Sequence, residues 1–211
     1  MTNRSIWAIV PAMPREKQFD DDAVLECAAD VFAANGYQGT SLSMLLEATG
    51  LGKQSLYNSF GDKRSLYLQA VDCAAARYGA VQREMQRAVS GRAAVQVFFE
   101  HLLGYCASRD PARRSCIVSA GLLEGVDDPL IAQRLREKWA GTHEVLRAAV
   151  ERGQKDGSVT NTAPSAELAD LLLSVMGGLR VSARAGYAPE RLRRTVDVAL
   201  AVLDAPRADS S

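Results

Sequence analysis

Histidine is scarce in this chain of 211 residues, and the patterns that usually assemble metal or catalytic sites are missing. There are two histidines, His101 and His143, and the four cysteines form no Cys-x-x-Cys pair of the kind that holds structural zinc. The nucleophile, phosphate-loop, metalloprotease and dinucleotide motifs of common enzymes are also absent from the sequence. We therefore expect no enzyme, no catalytic residues, no metal and no cofactor.

Long apolar runs are missing as well. None approaches the roughly 18–20 residues of a membrane-spanning helix. The apolar segment from Ile6 to Met13 contains Pro11 and has only Arg4 before it, which makes a poor signal peptide. We expect a cytoplasmic protein with no membrane partner and no disulfide framework. Either Met1 or Met13 serves as the start in this interpretation.

The chain also lacks an excess of charge of either sign. The chain has 25 basic and 25 acidic residues, so overall charge gives no affinity for a polyanion. Its composition, 47% apolar and 24% charged, is that of an ordinary globular protein. Any nucleic-acid binding must therefore come from a local group of side chains.

What the sequence does contain is helical periodicity from Asp20 almost to its end. The first helix is expected to close at Asn35 and Gly36, and a short second helix to begin at Thr40 or Ser41 and end at Gly50. A third follows at about 53–59, and Asp62 caps a long fourth helix of about 25 residues. Later helices are expected at about 92–107, 114–123, 128–154, 164–186 and 189–204. No strand pattern appears, so we predict an all-α fold.

The second and third helices form the pattern of a helix-turn-helix, joined at residues 50–52. In the third helix Leu56 and Phe60 are spaced to face inward. The remaining polar side chains can reach bases or phosphates: Lys53, Gln54, Ser55, Tyr57 and Asn58. Similar helix pairs occur in proteins that never bind DNA. Residues 1–66 also carry six basic against eight acidic side chains, which argues against indiscriminate DNA binding.

Three sequence runs help to decide whether this helix pair binds DNA. They are Phe-Ala-Ala-Asn-Gly-Tyr at 32–37, Thr-Ser at 40–41, and Ala-Thr-Gly-Leu-Gly-Lys-Gln-Ser-Leu-Tyr-Asn-Ser-Phe-Gly-Asp-Lys-Arg-Ser-Leu at 48–66. Together they resemble the DNA-binding domain of the tetracycline-repressor (TetR/AcrR) family. The resemblance implies an all-α homodimer with a helix-turn-helix domain and a larger domain that binds an inducer and dimerises. The corresponding expected ranges are a tail at 1–19, the DNA-binding domain at 20–66, the larger domain at 67–204 and a tail at 205–211.

The same resemblance implies roles for individual residues. Thr40 and Ser41 are expected to bind a phosphate at the start of the second helix. Lys53, Tyr57 and Lys63 are expected to hold the DNA backbone, while Gln54, Ser55 and Asn58 read bases. Two positions depart from the family pattern: Gly52 removes a frequent serine cap, and Ser59 replaces a common aromatic or histidine.

Beyond about residue 88 the resemblance rests on helix order alone. Two apolar stripes in the last two helices favour a four-helix dimer interface formed by Leu171, Val175, Gly178, Ser182, Leu192, Val196, Ala199 and Leu203. Both stripes are also compatible with an intramolecular core. An inducer cavity is expected among Phe98, Leu102, Tyr105, Ile117, Leu122, Trp139, His143 and Met176, any of which fits ordinary core as well.

Cys106 and Cys116 flank a segment that contains Arg109, Arg113 and Arg114. Positive neighbours lower the pKa of a thiol and raise its reactivity. The run Ser115-Cys116-Ile117-Val118 is also similar to one in a branch of the family that includes thiol-based sensors. A redox or electrophile switch is therefore one hypothesis, and an inert buried thiol is the other.

The sequence thus predicts a homodimeric, sequence-specific DNA-binding regulator, a repressor that a small-molecule or thiol-reactive inducer releases from operator DNA. Two alternatives stay open: a helical small-molecule sensor without DNA binding, and a DNA-binding activator.

Overall fold

The computed structural model describes residues 19–108 and 115–204, and all regular structure in these two ranges is helical. The helices are α1 (Asp21–Gly39), α2 (Leu42–Thr49), α3 (Lys53–Phe60), α4 (Lys63–Arg87), α5 (Gly91–Cys106), α6 (Ile117–Glu124), α7 (Pro129–Asp156), α8 (Ser165–Arg184) and α9 (Pro189–Leu200), followed by a 3-10 turn (Ala201–Leu203). The all-α prediction is confirmed. Among these helices none combines the length and the apolar character needed to cross a membrane. The predicted tails, except Phe19, and the arginines at 109, 113 and 114 lie outside the described residues.

Local capping chemistry explains where the N-terminal helices begin and end. Gly36 interrupts α1 with a φ of 77°, a left-handed conformation that favours glycine, so the regular helix stops at Asn35 as expected. The Ser41 hydroxyl accepts a hydrogen bond from the Met44 N–H at 3.3 Å and starts α2. Asp62 starts α4 in the same way, with 2.7 Å to the Ser65 N–H.

Two hydrophobic clusters fill the interior, and α4 contributes to both. Its first half packs with α1, α2 and α3, and this cluster also takes in Ile117 of α6 together with Ile131 and Leu135 of α7. Its second half, with Val81 and Met85, packs with α5, α7, α8 and α9. The helix-turn-helix therefore shares its core with α6 and α7, so it is held firmly against the rest of the chain. The domain boundary after residue 66 stays a prediction.

The contact between α4 and α6 is unusually close, since a glycine faces a tyrosine there. A β-carbon on Gly121 would lie 2.3 Å from the Tyr67 hydroxyl oxygen, so only glycine leaves room for this ring. Tyr67 is buried and donates a hydrogen bond to the Ile117 carbonyl at 3.5 Å. Its ring also meets those of Phe32 and Tyr37 edge-on, with centroids 4.9 and 5.0 Å apart. Helix α6 is thus docked directly onto the aromatic centre of the N-terminal cluster.

Candidate nucleic-acid interface and ligand cavity

Helix α3 presents one apolar side to the protein and one polar side to solvent. Leu56 and Phe60 are buried, as their spacing predicts. The side chains of the opposite side are exposed: Lys53, Gln54, Ser55, Tyr57 and Asn58. Gly52 occupies the N-cap position and supplies no side-chain hydrogen bond, which matches the expected loss of a cap. The recognition surface therefore consists of hydrogen-bonding side chains with no ion pair to break among them in the described structure.

Two lysines frame this surface, and each is placed by an aromatic ring. The Lys53 ammonium lies 6.0 Å from the Tyr57 ring centroid, and the Lys63 ammonium lies 4.9 Å from that of Tyr37. Partial burial lowers the pKa of Lys63, and the negative charge of Glu124 acts in the opposite direction. Arg64, by contrast, is held by Asp128 at 3.0 Å. Lys53 and Lys63 are consequently the better placed of these basic residues to contact phosphates.

Of the two residues expected to bind a phosphate at the start of α2, only Ser41 is exposed. Thr40 is 2% exposed, and its hydroxyl donates a hydrogen bond to the Gly36 carbonyl at 2.6 Å. This hydroxyl completes the turn after α1 and cannot reach a phosphate in this conformation, which corrects the role expected for its side chain. The Ser41 hydroxyl lies 2.8 Å from that of Ser43 at the exposed N-terminus of α2.

Glu124, at the C-terminal end of α6, binds the last turn of α1, which follows the kink at Gly36 and precedes α2. Its carboxylate accepts hydrogen bonds from the backbone N–H groups of Tyr37 at 2.6 Å and Gln38 at 2.7 Å. A β-carbon on Gly36 would lie 2.8 Å from this carboxylate, so glycine is needed here for space as well as for conformation. No local sequence pattern marks Glu124, because its contact joins residues that are far apart in the chain.

A cavity of about 390 Å³ is lined by residues of α1, α4, α5, α6, α7 and α8. Five of the eight residues predicted to line it do so: Phe98, Tyr105, Ile117, Trp139 and Met176. Leu102 is instead buried in the core, and Leu122 lines a neighbouring cavity of about 270 Å³. His143 points away, with its Nε2 3.2 Å from an Asp170 carboxylate oxygen. The positions of Leu102, Leu122 and His143 correct the predicted lining.

The polar groups of the cavity centre on Arg180, which is not among the predicted lining residues. Arg180 is only 6% exposed and lines both cavities, as Cys116 does. Its Nη2 donates a hydrogen bond to the Tyr78 hydroxyl. Burial raises the pKa of Tyr78 to about 12, although the Arg180 charge acts to lower it. The one sequence signal for this site is a single charge within an otherwise apolar stretch of α8.

The two candidate sensor thiols differ in their surroundings. Burial acts to raise the pKa of Cys116, but the Arg180 charge and hydrogen bonds from Ser119 and the Val118 backbone outweigh it, so the pKa is lowered. Cys106 is buried in the core, and this burial raises its pKa despite the same arginine. The structure thus favours Cys116 over Cys106 as a reactive thiol. Arg180 supplies the positive charge that lowers the pKa of Cys116, a role that the sequence suggested for the arginines between the two cysteines.

The predicted dimer residues divide into three groups by exposure. Leu192, Val196 and Leu203 belong to the intramolecular core, where Leu192 is 1% exposed, so they cannot also form a subunit interface. Leu171 and Gly178 are exposed on α8, and the remaining members, Val175, Ser182 and Ala199, are half-buried. Exposed Val181 and Val198 lie on these same two helices and were not predicted. The apolar face that is open on α8 and α9 is therefore partly different from the predicted one.

Comparison with known proteins agrees with this architecture. The sequence profile of the bacterial regulatory proteins, tetR family, matches residues 24–70. The uncharacterized HTH-type transcriptional regulator YezE of Bacillus subtilis is 34% identical over 200 residues, covering 91% of this chain and all of YezE. The HTH-type transcriptional repressor ComR of Escherichia coli is 27% identical over 95% of this chain and 96% of its own length.

Among solved structures, a cysteine mutant of the TetR family transcriptional regulator CifR, complexed with a 26-bp operator DNA, is similar to this chain. It is 30% identical, with a TM-score of 0.77 over 88% of this chain and 98% of CifR. The fold and the exposed polar side of α3 thus define a helix-turn-helix transcriptional regulator. The chain belongs to the TetR family, whose members are regulators of transcription and not enzymes.

Proposed function

We propose that this protein is a homodimeric repressor that binds operator DNA through α3 and leaves it when a small molecule occupies the internal cavity. The observation that carries this proposal is that α6 links the cavity to the helical turn that precedes α2, the first helix of the helix-turn-helix. It begins at the cavity with Cys116 as its N-cap and Ile117 in the wall, and it ends at Glu124 on the turn that precedes α2. The operator DNA in the CifR structure and the repressor name of ComR support the DNA-binding part.

Release would follow from a shift between two arrangements of the subunits. Two recognition helices must lie about one DNA turn apart, roughly 34 Å, to enter successive major grooves. A ligand that binds the wrongly spaced arrangement better draws the population towards it and lowers operator affinity. Because α6 packs on Tyr67 of α4 and holds the turn at Tyr37, a displacement at the cavity carries the helix-turn-helix with it.

Lys63→Ala is the sharpest test of the DNA-binding face. A symmetric dimer loses two phosphate contacts, so the slope of log affinity against log salt should fall by about 2, and affinity should fall roughly 10- to 100-fold near 0.1 M salt. Gel shifts at several salt concentrations, with the DNA upstream of the protein's own gene, measure both quantities.

Lys155→Ala is the matched control for this lysine. Lys155 lies at the far end of α7, where it pairs with Glu151 at 2.6 Å, and its loss should leave both quantities unchanged. Lys63→Ala behaving like this control would contradict the proposed face. Wild-type protein that does not prefer the upstream DNA over random DNA would instead favour a helical sensor without DNA binding. A footprint that lies upstream of the promoter elements and raises transcription would identify an activator.

A thiol-reactive inducer is a second form of the same function, and the lowered pKa of Cys116 favours it. At pH 7 a lowered pKa leaves more thiolate on Cys116, whereas the raised pKa values of Cys73 and Cys106 leave less on them. We expect iodoacetamide to modify Cys116 faster than either, and its rate to persist to lower pH. Peptide mass mapping over time measures this order. Equal rates for Cys116 in native and denatured protein would exclude the thiol switch.

A further inference from the structure

Arg180 is a buried cation that has no carboxylate partner among residues 19–108 and 115–204. It lies in the second half of α8, is 6% exposed, and lines both cavities. One nitrogen donates to the Tyr78 hydroxyl, while its Nε has no hydrogen-bond partner among the described residues. A guanidinium carries five N–H donors, so most of its hydrogen-bonding capacity is left over.

The groups that surround this guanidinium are thiols and phenols. Cys116, Tyr78, Cys106 and Tyr105 are the residues whose charged forms would act on it most strongly. No carboxylate forms an ion pair with Arg180 in the part of the chain that the structure describes. A buried charge of this kind is costly unless an anion compensates it, and a guanidinium favours the planar, two-oxygen geometry of a carboxylate.

The other cations of the cavity wall are already compensated. Lys138 pairs with Asp72 at 2.7 Å, and Arg77 lies 3.5 Å from Glu26 and 3.9 Å from Asp30. A single uncompensated positive charge matches a single negative charge. A phosphate monoester, with nearly two charges at neutral pH, would leave one of them buried and unpaired.

Most of the remaining wall is apolar or aromatic, and its two carboxylates, Asp30 and Glu137, lie 3.9 Å from Arg77 and 3.5 Å from Arg134. Phe98, Met176 and Trp139 line the cavity together with Val81 and Met85. Its volume, about 390 Å³, suits an organic ligand of one or two rings. The cavity thus offers an apolar surface for the body of a ligand and one buried cation for a negative group.

We propose that this cavity binds a hydrophobic monocarboxylate, with its carboxylate on Arg180 and its aromatic or aliphatic body against Phe98, Trp139 and Met176. The ligand becomes an inducer only through the regulatory function proposed above, but its binding does not depend on that function. The carboxylate takes the place that a Cys116 thiolate would occupy beside the guanidinium, so ligand and thiolate compete for the same charge.

Calorimetry with matched acids and amides tests this site on the full-length protein. The probes are 2-naphthoate against 2-naphthamide and octanoate against octanamide, since each pair differs in charge and hardly in shape. Wild-type protein is expected to bind at least one acid roughly 10- to 100-fold more tightly than its amide, as a charge-assisted contact implies. Arg180→Met should remove this preference, and Arg180→Lys should keep part of it.

Controls separate the charge of Arg180 from its packing. Arg193→Met, which removes an exposed arginine bound to Glu100 at 2.7 Å, should leave the preference unchanged. If circular dichroism shows that Arg180→Met does not fold, the ratios of acid to amide affinity in wild type and in Arg180→Lys still test the proposal. Equal binding of acid and amide by wild type, binding of neither, or an unchanged preference in folded Arg180→Met overturns the proposal.

Gel shifts with the preferred acid keep the two proposals apart. Loss of the operator complex on addition of the acid, but not of its amide, supports both. An acid preference without any operator complex supports the site and contradicts the proposed function. An operator complex with no acid preference supports the proposed function and contradicts the site.

Discussion

Gly91→Ala is expected to destabilise the protein by about 2–3 kcal/mol, the range for overpacking against an element that cannot move aside. A β-carbon on Gly91 would lie 2.0 Å from the Gly153 backbone nitrogen and 2.4 Å from the Ala149 carbonyl oxygen. These are backbone atoms of α7, so no side-chain rotation relieves the clash. The start of α5 must move away from α7, which also weakens the hydrogen bond from the Gly91 N–H to Asp156 at 2.8 Å.

Thermal unfolding at one protein concentration measures this loss, and a drop of roughly 5–10 °C is expected for a chain of this size. Gly104→Ala is the matched control on the same helix. Gly104 is exposed and a β-carbon there meets nothing within 4 Å, so alanine should be neutral or stabilise by up to about 1 kcal/mol. Equal melting temperatures for wild type and Gly91→Ala would mean that α5 and α7 do not cross as closely as described.

The crossing of α5 and α7 matters for function because both helices line the cavity. Phe98 and Tyr105 reach it from α5, and Trp139 reaches it from α7. A variant that separates the two helices should therefore weaken ligand binding before it affects α3, whose side chains belong to the other hydrophobic cluster.

The helices were predictable because their ends are encoded locally. Ser41, Gly50 and Asp62 act at the positions where their side chains or conformations are expected to act, and each influences only its own turn. The inward side of α3 followed from the spacing of Leu56 and Phe60 in the same way. The sequence does not settle the role of Thr40, since a threonine before a helix can bond to the following helix or to the preceding one. Here it bonds backwards to Gly36.

The cavity and the dimer face were only partly predictable, since they depend on which helix covers which stripe. Periodicity shows that Leu192 and Val196 share a face, but it does not show that α5 and α8 of the same chain cover that face. For the same reason Leu102 and Phe98 were equivalent in the sequence, although only Phe98 reaches the cavity. Arg180 and Glu124 act through partners distant in the chain, and sequence periodicity carries no such information.

The face that remains open supports the proposed homodimer. Leu171 and Gly178 on α8, and Val198 on α9, expose apolar or small surface on two consecutive helices that pack on each other. Val181 adds to this surface at 57% exposure. Helices with small residues and exposed aliphatic side chains fit a symmetric interface, in which the same face meets itself. A second copy of the chain is therefore the partner that we expect here.

Val198→Asp is expected to split this dimer and to abolish tight operator binding. The symmetry of the interface places a carboxylate in each subunit against an apolar partner, and an uncompensated buried charge costs several kcal/mol, or roughly 100-fold or more in dimer dissociation constant. Operator affinity should fall by a similar factor, because a single recognition helix loses the effective concentration that the second subunit provides. Sedimentation at micromolar concentration and gel shifts measure the two effects.

Val89→Asp provides the same chemical change in the connection between α4 and α5, where Val89 is 98% exposed and belongs to neither α8 nor α9. It should leave both mass and operator affinity unchanged, so any effect of Val198→Asp reflects position and not added charge. Val198 lines neither of the two cavities described, and a loss of DNA binding cannot then be attributed to a damaged ligand site. A Val198→Asp protein that stays dimeric would move the interface to another face. A folded monomer with full operator affinity would show that one α3 suffices, and the two-groove mechanism of release would fail with it.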